Sequence, residues 1–361
     1  MITEIMDYYT PEQFLFREDQ VKKVESVFQF FNRDGFADNL FITGVTGSGK
    51  TSIVRKVISE HNNCLYISCK EKNTTKRIFQ QIAKSQHFTV SDVVDKMIVM
   101  LQTNKKVLVI DEVAKLNDIT EFGNALNRIW RETSVPIIII TNDSTFLDKL
   151  PEDCRYTLLF QRVVFPAYDA QQLKGILDQR LRLIKDSIPT FPDYTKEHIA
   201  ALSVKRFLGS ARIVLALARK CIQNRCFSQD FTTQIANQIE QEEMFCFIDR
   251  LGSAEKRFLA DILELSKTKP EFTASDIHKY MPDHTISRVS QLITTFVQDY
   301  SILNERIFNQ GRSGGMYRIL KFSSEMQKYQ LYKCLHPEEF MEENMDMALQ
   351  DEEIERAIKT I

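Results

Sequence analysis

Leu40-Phe41-Ile42-Thr43-Gly44-Val45-Thr46-Gly47-Ser48-Gly49-Lys50-Thr51 is a short apolar strand that runs into a glycine-rich loop, with a helix predicted after it over Ser52 to Glu60. The spacing G-x-x-x-x-G-K-T is met at Gly44, Gly49, Lys50 and Thr51, and each residue type answers a demand that a polyphosphate makes. Glycines let backbone N–H groups converge on a β-phosphate, Lys50 neutralises the β- and γ-phosphates, and the Thr51 hydroxyl can ligate Mg²⁺. Val45, Thr46, Gly47 and Ser48 complete the loop. Ser52 opens a helix whose N-terminal partial positive charge faces the same phosphates. A chance glycine-rich turn would lack the strand before and the helix after, so the expected cofactors are ATP or ADP with Mg²⁺.

Outward from this loop, the composition sets the frame. The 361 residues, 43% of them hydrophobic, suffice for two or three cored domains. A net charge of −2 neither argues for nor excludes a nucleic-acid partner, but the charge is unevenly spread. Nine carboxylates lie between Glu338 and Glu355, and without that tail the body holds 45 basic against 40 acidic residues. Seven cysteines without C-x-x-C pairs, and no leader at the start, lead us to expect a reducing cytoplasm and no dedicated metal cluster. The apolar run Val135 to Ile140 is too short for the roughly 20 residues a membrane span requires, so no membrane partner is expected.

Further short apolar runs separated by helical stretches predict a parallel α/β sheet covered on both faces. A helical entry occupies residues 1 to 38, placing Phe16-Arg17-Glu18-Asp19-Gln20 at the mouth of the loop with Arg17 as a nucleotide contact. Strands are expected at Cys64 to Cys69, Val107 to Glu112, Pro136 to Thr141 and Thr157 to Phe165, and a helix from Thr74 to about Ser85. The strand ending Asp111-Glu112 follows the loop by about 60 residues. Asp111 is expected to hold the metal with Thr51, and Glu112 to orient and deprotonate an attacking water. Asn142 at the next strand end either places that water or caps the turn over Asp143 to Leu150.

From Pro166 the pattern becomes helical, with helices over Ala170 to Lys185, Lys196 to Ser203 and Ser210 to Asn224. In Gly209-Ser210-Ala211-Arg212 an arginine follows a glycine corner at a helix start. Arg212 either folds onto a γ-phosphate as part of a lid or is a solvated surface arginine. A third region has helices at Ala254 to Ser266, Ala274 to Tyr280 and His284 to Tyr300, then strands at Ile302 to Phe308 and Met316 to Phe322. Three helices and a hairpin make a winged helix. Its third helix would present His284, Ser287, Arg288 and Gln291 to a major groove, and its wing Arg306, Arg312 and Arg318 to phosphates or a minor groove. The same fold can serve protein contact instead.

Together these motifs resemble the AAA+ replication initiators of the archaeal origin recognition complex and cell division control protein 6 family. The likeness runs from Phe16-Arg17-Glu18-Asp19-Gln20 through Gly44 to Thr51, Asp111-Glu112 and Thr141-Asn142-Asp143 to Val164-Phe165-Pro166-Ala167-Tyr168-Asp169 and Gly209-Ser210-Ala211-Arg212. It implies an α/β P-loop sheet of order 5-1-4-3-2 (residues 1–166), a helical lid (167–250) and a winged helix (251–335), after which the chain ends in the acidic tail (336–361). It also implies first and second sensors at Asn142 and Arg212, and slow ATP turnover. The implied partners are duplex origin DNA, a replicative helicase and further copies of the chain on DNA. Arg155 stands near the family's arginine that serves a neighbouring subunit's nucleotide, with Arg162 as the alternative. Ser85 to Asp95 is shorter than the family's DNA-contacting insertion, and the tail has no counterpart there. Two other classes fit a P-loop domain joined to a winged helix. One is a plasmid or viral paralogue in which nucleotide is structural; the other is a signalling ATPase with a protein-binding winged helix.

Overall fold

The five apolar runs between Leu40 and Phe165 assemble into one parallel sheet in the computed structural model, which describes residues 4–69, 74–83, 89–116, 118–299, 302–309, 316–322, 328, 331–332 and 334–335. Two compact units divide the chain, Met1–Ile235 and Ala236–Ile361; the expected base 1–166 lies in the first, and the expected lid 167–250 runs across the division. Its elements are α1 (Glu18–Asp34), β1 (Leu40–Gly44), α2 (Lys50–Ser59), β2 (Cys64–Ser68), α3 (Thr75–Ala83), α4 (Val90–Thr103) and β3 (Val107–Asp111). There follow α5 (Ile119–Thr133), β4 (Ile137–Thr141), α6 (Glu152–Leu158), β5 (Gln161–Phe165), α7 (Ala170–Arg182), α8 (Asp193–Arg206) and α9 (Ala211–Asn224).

The strand order is β2-β3-β4-β1-β5, which read from the other edge is the expected 5-1-4-3-2. Val107–Asp111 and Ile137–Thr141 are buried throughout, because helices cover both faces and leave no polar side for alternation. At the sheet edge, β5 exposes Gln161, Arg162 and Val164. Parallel pairing sets Asp111 beside Ile140 and Ser68, and Thr43 beside Thr141. The polar ends of β1, β3 and β4 thereby meet at one sheet edge, where ligands bind in such folds. Buried Asn39 ties the entry to this sheet: its amide donates to Leu158 O at 2.6 Å and its Oδ1 accepts from Ile137 N at 2.7 Å.

Several expected boundaries shift for local reasons. The P-loop helix begins at Lys50 rather than Ser52, directly after Gly49 turns the chain at φ 98°. The strand expected from Thr157 begins only at Gln161; Glu152–Leu158 is helical, capped by Pro151, and Leu159 ends it in the left-handed region at φ 42°. The stretch from Asp143 to Leu150 contributes a 3-10 turn, Phe146–Lys149. Thr89 and Asp92 form a reciprocal capping box that opens α4 inside the segment taken as a short insertion. Residues 85–88 of that segment lie outside the described residues.

The second unit contains α11 (Ser253–Thr268), β6 (Phe272–Thr273), α12 (Ala274–Tyr280), α13 (Ile286–Thr294), β7 (Leu303–Asn309) and β8 (Met316–Phe322); α10 (Gln229–Arg250) spans the division between units. Its antiparallel sheet, β6-β8-β7, is consistent with the expected winged helix. The third helix is shorter than His284 to Tyr300: Thr285 caps it by accepting from Arg288 N, and a π turn takes over at Thr295–Asp299. Phe258, Leu259, Val289, Phe296 and Leu320 fill the core beneath. Arg312, the loop 310–315, the side chain of Arg318 and the acidic tail 336–361 lie outside the described residues.

Candidate nucleotide site

The loop Gly44–Thr51 has four of its carbonyls engaged, by Lys50 within it and by Arg17 and Ala211 from outside. Lys50 Nζ donates to Gly44 O at 2.6 Å and Val45 O at 2.9 Å, and Arg17 Nε donates to Ser48 O at 3.2 Å. Ala211 N, at the start of α9, donates to Gly47 O at 3.2 Å. A loop whose carbonyls are engaged in this way can offer N–H groups to an anion, the concave arrangement that suits phosphate. Gly47 is required twice over: its φ is 77°, and a Cβ there would stand 2.0 Å from Ser210 Oγ. Burial lowers Lys50 to about 8, with Asp111 opposing the shift, so the ammonium is costly to keep charged until an anion joins it. These features fit a nucleoside polyphosphate.

Thr51 and Asp111, 60 residues apart, meet directly: Thr51 Oγ1 donates to Asp111 Oδ2 at 2.9 Å. A threonine hydroxyl can keep that bond while offering a lone pair to a cation, so this pair of oxygen donors suits Mg²⁺. Glu112 follows at φ 61°, a left-handed conformation held by its N–H donating to Asp111 Oδ1 at 2.8 Å. The turn sets Glu112, half-buried, just beyond β3, while Asn142 is exposed just beyond neighbouring β4. Two residues that sequence reasoning passed over complete the cluster. Tyr66 in β2 donates its hydroxyl to Asp111 Oδ2 at 2.7 Å, and Arg55 in α2 donates to that hydroxyl from Nε at 3.4 Å and Nη2 at 3.3 Å. Tyr66 looked like an apolar strand residue, and only the β2–β3 register brings it diagonal to Asp111.

Arg17 is buried, and its guanidinium is spread over three carbonyls: Ser48, Phe16 at 2.9 Å and Pro166 at 2.6 Å. It also lies 3.7 Å from the centre of the Tyr168 ring. It therefore meets the nucleotide loop through the loop's backbone and fastens it to the passage into α7. Arg212 is exposed in the first turn of α9, whose N-cap Ser210 is buried against Gly47. The two candidates for a neighbour-serving arginine differ. Arg155 is exposed on α6, whereas Arg162 donates to Ser144 O at 3.3 Å, pairs with Asp148 at 3.7 Å and lies over Phe41.

In the second unit Ser287, Arg288 and Gln291 share the exposed face of α13, and Arg288 Nη1 donates to Gln291 Oε1 at 2.7 Å. Arg306 is exposed in β7. His284 precedes the helix, half-buried with its Nε2 enclosed, so it does not share the accessibility of those four. Among the described residues no helix is long and apolar enough to cross a membrane, and no cluster of three or more His, Cys, Asp or Glu could hold a metal.

Residues 35–150 match the AAA domain model. With the parallel sheet order and the loop Gly44–Thr51, this defines the class: a nucleotide-binding P-loop ATPase of the AAA+ type. Similarity extends further along the chain. ORC1-type DNA replication protein 1 of Sulfolobus acidocaldarius is 25% identical over 342 residues, covering 85% of each chain. The ORC1-type DNA replication protein of Thermococcus onnurineus is 28% identical over 354 residues, covering 85% of this chain and 84% of its own. Among solved structures, the Aeropyrum pernix ORC1 protein in complex with DNA superimposes with a TM-score of 0.72 at 20% identity, covering 95% of this chain and 97% of that one. The Aeropyrum pernix ORC2 protein, in ADPNP–ADP complexes, gives 0.57 at 15% identity, covering 95% and 98%. The chain is thus similar along most of its length to archaeal proteins named ORC1-type DNA replication protein, and it shares their fold.

Proposed function

We propose that this chain is an ATP-controlled DNA replication initiator that grips duplex origin DNA and helps recruit or load the replicative helicase, with slow hydrolysis as its switch. The observation that carries this reading is coverage: relatives named as DNA replication proteins match along 85% of the chain, more than its P-loop unit alone. The relative solved with DNA supports the DNA partner, and the relative solved with ADPNP and ADP supports ATP and ADP as the nucleotides.

When bound, ATP with Mg²⁺ supplies the transferable γ-phosphoryl group and the charge that offsets its oxygens. Lys50 would release its two loop carbonyls for phosphate oxygens, and the N–H groups of residues 44–52 would offer donors to the phosphates. Thr51 and Asp111 would hold the metal. Glu112 accepts a proton from the attacking water while Asn142 orients it, and Arg212 reads the γ-phosphate from the lid. Arg17 sets the loop from behind. Arg155 reaches the nucleotide of a neighbouring copy on DNA.

In the second unit Ser287, Arg288 and Gln291 face a major groove, with His284 behind them, while Arg306 in β7 meets phosphates. The functional divisions are base 1–166, lid 167–250, DNA-binding domain 251–335 and tail 336–361. Footprinting on the chain's own replicon, with ATP and with ADP at fixed salt, tests the whole. A discrete protected site near the replication start that changes with nucleotide is the expected outcome, and uniform weak binding refutes it.

A further inference from the structure

We infer that Tyr66, held by Arg55, is the positioning residue of the metal–nucleotide site: it fixes the carboxylate plane of Asp111 so that Thr51 and Asp111 form one cation-binding pair. The inference rests on the nucleotide reading above and adds residues that no sequence motif assigns.

The direction of each hydrogen bond follows from chemistry alone. A guanidinium can only donate, and a carboxylate only accepts. The Tyr66 hydroxyl, between Arg55 and Asp111, must therefore accept from the first and donate its single proton to the second. Oδ2 of Asp111 thus takes two hydroxyl donors, Tyr66 and Thr51, and Oδ1 takes the Glu112 N–H. Three of about four carboxylate lone-pair sites are occupied. Rotation of the carboxylate would break all three bonds together, so its orientation is fixed before a cation arrives.

Arg55 lies on the same helix as Thr51, one turn on. It stands near Glu112 and Asp111 as well as Tyr66, and its guanidinium is 5.2 Å from the centre of the Tyr66 ring. The helix that carries the threonine thus reaches the aspartate twice, once directly and once through Tyr66. Partners behind a metal ligand typically govern about 10- to 100-fold in metal affinity or activity.

The test measures binding of a ribose-labelled fluorescent ADP to the full chain in Mg²⁺ and in EDTA. For wild type we expect binding to tighten with Mg²⁺. Tyr66→Phe, which removes one oxygen and keeps the ring, should lose about tenfold of that Mg²⁺-dependent tightening while staying within about twofold of wild type in EDTA. Arg55→Met should move in the same direction and Arg55→Lys should recover part of the loss. Unaltered Mg²⁺ tightening in Tyr66→Phe overturns the inference alone. Equal losses in Mg²⁺ and EDTA, accompanied by a lower melting temperature, reduce Tyr66 to a packing residue and overturn it too. A wild type that binds ADP in neither condition refutes the nucleotide reading and the inference with it.

Discussion

Lys50 has a measurable signature that follows from its surroundings. Its folded pKa of about 8 lies below the ordinary 10.5, so between those values the unfolded chain binds more protons than the folded one. Stability of the nucleotide-free protein from this group therefore increases as pH rises through that window. Nucleotide binding runs the other way, because phosphates favour the charged ammonium. Calorimetry in buffers of different ionisation enthalpy should show proton uptake on ADP binding above about pH 8, with affinity falling as pH rises; Lys50→Met should abolish both binding and uptake. Glu112 gives a second expectation: Glu112→Gln retains nucleotide affinity and loses about 100-fold or more in turnover, measured as phosphate release. Unchanged turnover would remove Glu112 from its role as base.

At the level of elements, Asn39 shows a dependence that no motif advertises. One side chain satisfies the backbone at the end of α6 and at the start of β4. Asn39→Leu leaves a buried carbonyl and a buried N–H without that partner, and should lower the unfolding free energy of the first unit by about 2–4 kcal/mol in urea titration. What was legible in the sequence follows the same physics. β1, β3 and β4 announce themselves because strands buried on both faces are continuously apolar. The edge strand β5 alternates, and the expected strand wrongly absorbed the end of α6, where Pro151, Glu152 and Asp153 in fact signal a helix start. The capping box at Thr89 and Asp92 marked α4 in the same manner. Lys50, Thr51, Asp111 and Glu112 were readable because one loop and one strand end hold them. Tyr66, Arg55 and Ser210 were not, since their roles arise from register and packing.

For the whole molecule, the proposed nucleotide and DNA residues lie in different units, so mutation should separate the two activities. Arg306→Ala should weaken duplex affinity and lower the salt slope of binding by about 0.9, and Arg288→Ala should weaken binding and relax sequence preference, while ADP affinity is unchanged in both. A slope unaffected by Arg306→Ala and a preference unaffected by Arg288→Ala would place the DNA contact elsewhere. Arg212→Ala should instead diminish the difference in DNA affinity between the ATP- and ADP-bound forms, because α9 opens against the P-loop at Gly47.

The sheet order carries a consequence for how the chain is made. β1, the strand that delivers the nucleotide loop, is flanked by β4 and β5, which are synthesised roughly a hundred residues later. Arg17 likewise reaches Pro166, 149 positions onward. On the ribosome the earliest-made functional segment is therefore the last of its neighbourhood to be enclosed, and a nascent chain stopped before Gln161 has β1 with one edge bare. Such long-range pairing slows folding and leaves apolar strands exposed meanwhile. Until the fifth strand emerges, the loop is carried by a strand paired on one side alone.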